Sequence, residues 1–109
     1  GWNIRVRLNR VQIFMMEIMM EETPAELALL QQHLNAQNWD GIRAVAHKMK
    51  SGIQYLGLTD VLHLVKDIEL SAKEKTNLDL LPEKINTVVL SCEPALSQLK
   101  LAFEKIQQQ

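Results

Sequence analysis

The sequence predicts an all-α protein: an antiparallel four-helix bundle with an additional N-terminal helix. Three observations carry this expectation. Apolar residues recur at three- and four-residue steps along most of the chain, the period of an amphipathic helix. The composition is 47% apolar but only 5% aromatic, with five Met and abundant Leu, Ile and Ala, which favours helices over strands. Four Gly and three Pro leave room for few turns. At 109 residues the chain is read as one domain, residues 1–109, with one core.

The elements follow in order. Residues 1–8 alternate Ile4, Val6 and Leu8 with Arg5 and Arg7. No second strand is available to pair with them, so they read as a lead-in. From about Asn9 to Met20 the residues Val11, Ile13, Phe14, Met15, Ile18 and Met19 give a helix with a wide apolar face. Thr23-Pro24-Ala25-Glu26 reads as a new start: Thr23 to cap, Pro24 in the first turn, Glu26 to close a capping box. That helix runs to about Ala36, with Leu27, Leu30 and Leu34 inward. Asn38 or Asp40 caps a helix reaching Leu56, and the short link makes the two antiparallel neighbours. Gly57 ends it as a left-handed residue. Thr59 caps the next helix, Asp60 to about Lys75, with Ala72 to Asn77 fraying into a loop. Asp79 caps the last, Leu80 to about Gln107, along the stripe Leu81, Ile85, Val88, Val89, Cys92, Leu96, Leu99, Phe103 and Ile106. Pro94 is expected to kink it near Leu90, and residues 107–109 are expected to be disordered.

The helix from Asn38 to Leu56 holds the chemistry. Its buried stripe is Ile42, Val45, Ala46, Met49, Ile53 and Leu56. At about 100° per residue, His47 falls roughly 150° from the centre of that stripe. Lys50 lies near roughly 90°, Arg43 near 110°, Gln54 near 130°, and Ser51 almost opposite the stripe. The imidazole therefore faces solvent among two cations, an amide and a hydroxyl. A metal would need carboxylates, thiolates or further imidazoles. Cations and donors suit an anion instead.

The run His47-Lys48-Met49-Lys50-Ser51, followed by Leu56-Gly57, Leu62 and Ile68-Glu69, resembles the signature of histidine-containing phosphotransfer (HPt) domains. Asn38-Trp39-Asp40 resembles the way that family begins the same helix. The resemblance runs from about Phe14 to Ile106. It implies that His47 accepts a phosphoryl group from a receiver-domain aspartate and passes it to another receiver. It implies that Lys50 steadies phosphoryl oxygens, with Arg43, Ser51, Gly52 and Gln54 supporting the phosphate or the partner. Many relatives carry Gly where Ser51 stands, and Gly52 could equally serve helix packing. Gly57 reads as structural. The Mg²⁺ of the reaction would belong to the receiver, and this chain would need no cofactor.

An unprotonated ring nitrogen is the nucleophile such chemistry needs, and nothing in the sequence says what orients the ring. No glycine-rich phosphate loop is present, so no ATP-dependent kinase activity is expected; the chain would be a phosphocarrier intermediate. Acidic residues are scattered, which leaves no acid/base dyad. His33 and His63 lack a matched set of partners, and Cys92 falls on the buried stripe. A formal net charge of −1 gives no basic face for nucleic acid. No apolar run of about 18 residues exists to span a membrane. One cysteine fits a reducing compartment, so a cytoplasmic location is expected, in a parent protein that could itself be membrane-anchored; the domain is expected to be a monomer. The chain opens on Gly1 rather than on methionine, which favours a module of a hybrid sensor kinase over a free-standing protein. The competing readings are a helical docking or regulatory bundle without chemistry, and the phosphoacceptor domain of a chemotaxis kinase. Four of the five methionines lie in the first helix. Because adjacent residues point about 100° apart, Met16 and Met20 are expected to be partly exposed near His47 as an adaptable patch for two receivers.

Overall fold

A computed structural model describes residues 9–108. Four helices follow one another: α1 Arg10–Asn35, α2 Trp39–Tyr55, α3 Thr59–Glu74 and α4 Leu81–Gln107, with a 3₁₀ turn at Leu78–Leu80 leading into α4. No strand occurs among the described residues. Each helix packs on two neighbours in the circuit α1–α2–α3–α4–α1, so the all-α bundle is confirmed. The described chain measures 53 × 20 × 20 Å. Its centre is closed by Leu30 from α1, Ile42, Ala46, Met49 and Ile53 from α2, Val65, Ile68 and Ala72 from α3, and Leu81, Ile85, Val88 and Cys92 from α4.

The additional N-terminal helix is not separate. The stretches expected on either side of Thr23-Pro24 form one helix of 26 residues. The capping box lies at its true start, where the Asn9 side chain accepts the Gln12 N–H and the Gln12 side chain accepts the Asn9 N–H, both at 2.8 Å. Thr23 caps nothing: its hydroxyl is buried without a partner. Glu26 closes no box and is buried on the same face. A proline inside a helix costs about 3 kcal/mol. The helix persists because Met16, Met19, Thr23, Glu26, Leu27 and Leu30 form one buried face running through Pro24, and burying each large apolar side chain returns roughly 1.5–3 kcal/mol.

Helix ends explain the other departures. α1, α2 and α3 all stop in Schellman turns. In each, a left-handed residue follows the helix: Gln37 (φ 54°), Gly57 (φ 74°) and Lys75 (φ 54°). The amide that follows the left-handed residue closes the 6→1 bond, from Asn38 to His33, Leu58 to Ile53 and Thr76 to Ser71. Gly57 therefore does what the sequence predicts, while Gln37 and Lys75 occupy positions that favour glycine. α3 does not fray from Ala72, which is fully buried, and continues to Glu74. Thr59 is its first residue rather than its cap. Asp79 lies in the 3₁₀ turn and does not cap α4. α4 runs through Pro94 to Gln107, taking in the first of the glutamines expected to be disordered. The proposed lead-in, residues 1–8, lies outside the described residues, as does Gln109.

Candidate functional site

The register of α2 is set at its first turn. The Asn38 side chain accepts the Gly41 N–H at 3.0 Å, which settles the choice between Asn38 and Asp40 as cap. From there the apolar spacing turns Ile42, Ala46, Met49 and Ile53 into the core and leaves His47 on the surface, its side chain 69% exposed. The three-residue turn from α2 to α3 (Leu56–Leu58) brings α3 back antiparallel. That places Glu69, 22 residues after the histidine, directly against it.

One carboxylate joins two of the expected site residues. His47 Nδ1–H donates to Glu69 Oε2 at 2.6 Å, and Lys50 Nζ donates to Glu69 Oε1 at 2.8 Å. Glu69 is only 20% exposed. The Lys50 ammonium beside it, with a smaller contribution from His47, holds its carboxyl below the usual carboxylate range against the opposing pull of partial burial. An ionised carboxylate can only accept, so the proton of a neutral His47 ring sits on Nδ1. The lone pair is then on Nε2, at the exposed edge of the ring. The orienting group missing from the sequence reading is thus Glu69. Its one signal in the sequence is the Ile68-Glu69 pair quoted for the family pattern. Its role could be assigned only once the α2–α3 register placed it opposite His47.

A family model for the Hpt domain matches residues 15–109. The chain belongs to the Hpt domain family. That places it among the histidine phosphotransfer domains of two-component phosphorelays. No curated protein and no solved structure matches it.

Within this Hpt domain the other expected site residues divide into two groups. Arg43, Ser51 and Gln54 are exposed on α2; among the described residues none of their side chains makes an ion pair or hydrogen bond. Gly52 lies elsewhere. It is buried, and a Cβ there would stand 3.0 Å from Met19 Sδ, so it serves the α1–α2 contact rather than the histidine face. Gly41 does the same one helix end away, where a Cβ would come within 2.6 Å of the His33 ring. His33 also meets the Asn38 amide at 3.3 Å, which makes it a corner residue. His63 is exposed, and Cys92 is buried, its thiol pushed up to about 11 by burial.

The methionine patch is corrected. Met16 is buried in the bundle. Met20 is half-buried and lines a groove with Pro24, Leu96, Ser97 and Lys100, on the α4 side of α1. Adjacent methionines do differ in exposure, but in the first pair it is Met15 that is half-buried. The methionines therefore pack the α1 seams instead of flanking His47. Among the described residues no helix is long and apolar enough to cross a membrane.

Proposed function

We propose that this Hpt domain carries phosphoryl groups between receiver domains, with His47 as acceptor. The observation that carries this reading is the Glu69 carboxylate shared by His47 Nδ1 and Lys50. A docking bundle without chemistry has no need of an imidazole held in one tautomer with its other nitrogen in solvent. Nε2 attacks the phosphorus of a receiver's aspartyl phosphate. The N–P bond forms, the P–O bond to the carboxylate breaks, and the carboxylate leaves with the bonding pair. Nδ1 keeps its hydrogen, so positive charge develops on the ring beside Glu69, where a preorganised anion stabilises it. Passing the group on to a second receiver reverses these steps.

Lys50 supplies a charge-assisted donor one turn from His47, and Arg43, Ser51 and Gln54 offer further donors along the same exposed face. The Mg²⁺ of the reaction is assigned to the receiver and no cofactor to this chain. The lone buried thiol fits a reducing, cytoplasmic setting.

The test is His47→Gln. Incubation with a phosphorylated receiver and Mg²⁺ should give acid-labile, alkali-stable label on the native protein and none on the variant. The melting temperature should be nearly unchanged, because the side chain is exposed. Equal labelling of both proteins, or no transfer from any receiver, would end this reading.

A further inference from the structure

The two flanks of α2 carry opposite charge. On the α3 side, Lys50 of α2 meets Glu69 of α3, the carboxylate it shares with His47; Arg43, seven residues before Lys50, lies on the same side of α2, and Lys66 and Lys73 line one groove with Glu69. Around α3, Lys66 and Lys73 lie within roughly 60° of Glu69, while Asp67 and Glu74 lie more than about 130° away. On the α1 side, Lys48 is the cation of α2, and the charges around it on α1 are Glu26, whose carboxyl it influences, and Glu22 beside Glu26. The basic flank also holds an apolar feature. Leu70 is 53% exposed, and with Lys66, Glu69 and Lys73 it lines a shallow groove of about 330 Å³ beside the histidine's carboxylate.

We propose that the receiver docks over α3, with Leu70 as its apolar anchor and Lys66 and Lys73 steering its anionic phosphoryl-bearing face toward His47. The inference rests on the reading of His47 as phosphoacceptor. A partner presenting a phosphorylated carboxylate is repelled by the acidic α1 flank and drawn to the basic one. Such steering changes association rates by roughly 10–1,000-fold and weakens with salt. An exposed leucine between two cations supplies the apolar centre that charge alone lacks.

The experiment measures phosphoryl transfer from a phosphorylated receiver over a range of concentrations, alongside labelling by phosphoramidate, a donor too small to need docking. The Lys66→Glu/Lys73→Glu variant should lose about tenfold in kcat/KM, the low end of the steering range. Leu70→Ser should also lower kcat/KM, and both variants should take label from phosphoramidate at the native rate. Glu22→Lys on α1 should transfer as well as the native protein or better. Native-rate transfer by the α3 variants, or an equal loss from the α1 variant, would overturn the α3 dock. Loss of phosphoramidate labelling in the α3 variants would overturn it too, by tracing their effect to the histidine. A native protein that accepts nothing from any receiver would instead overturn the phosphoacceptor reading beneath it.

Discussion

α2 is held by two seams of different chemistry. Toward α3 the seam ends in polar groups: Glu69 bridges His47 and Lys50 at its outer edge. Toward α1 it ends in small residues: Gly41 and Gly52 let His33 and Met19 press against the helix. Both seams sit over the same core, yet only one can present a nucleophile. A reactive side chain stays usable when the group that fixes it comes from the neighbouring helix. The glycine seam supplies the rigid backing for that arrangement and none of its chemistry.

The largest effect should come from breaking the polar seam. Glu69→Ala removes the acceptor of Nδ1–H, so the ring can take the wrong tautomer or rotate away. Loss of the carboxylate that orients a metal-bound imidazole typically costs about 10–100-fold, and by analogy phosphoryl transfer to His47 should fall by that order. Lys50→Ala should cost about 1.5–3 kcal/mol of transition-state stabilisation if its donor serves the phosphoryl group. Because both residues act through one carboxylate, the double variant should lose less than the product of the single losses. Fully multiplicative losses in single-turnover transfer would show that Lys50 and Glu69 act independently.

The glycine seam should respond in the opposite way, losing stability and keeping transfer. Gly41→Ala puts a methyl 2.6 Å from His33 Nδ1 and 2.8 Å from Asn38 Nδ2, against two side chains that build the α1–α2 corner. Overpacking of this kind costs about 1–3 kcal/mol. Gly52→Ala meets Met19 Sδ at 3.0 Å, the end of a flexible side chain, and should cost less. Denaturant unfolding measures the order. If Gly52→Ala is the more damaging, Met19 has no room to yield. If either variant slows transfer while remaining folded, the two seams are not separable.

How far each seam was legible follows from the range of the signals that build it. α2 is legible almost to the residue, since its stripe, its cap at Asn38 or Asp40, and Gly57 are all local. By local signals α1 divides in two, because Thr23-Pro24-Ala25-Glu26 is a good local start. It was outvoted by a buried face that continues past it, a tertiary effect no short window contains. Glu69 lay within the quoted pattern but outside the proposed site. Its helix says only that it flanks a stripe; the register across the Leu56–Leu58 turn says which imidazole it meets. The ends at Gln37 and Lys75 were missed because the left-handed residue there is not glycine.

The smallest effect concerns Glu26, buried on α1 on the side that approaches Lys48. Burial raises its carboxyl pKa above the ordinary 4.5, while Lys48 pulls it down and Glu22 pushes it up. A carboxyl raised in the folded state contributes stability that is fully present below the unfolded value and lost as pH rises through the folded value. At pH 7 the native protein therefore carries a net penalty for the charged form, which a neutral amide of the same shape avoids. Glu26→Gln should be slightly more stable than the native protein at pH 7, and that advantage should shrink as pH falls through 4.5. Glu69 works in reverse: its lowered pKa contributes stability above the unfolded value that is lost in acid. That loss is common to both proteins and cancels in their difference. Paired unfolding curves at pH 7 and near pH 4 decide the matter. A variant less stable than native at pH 7 would mean that attraction to Lys48 outweighs burial, and that the α1 seam too contains a working ion pair.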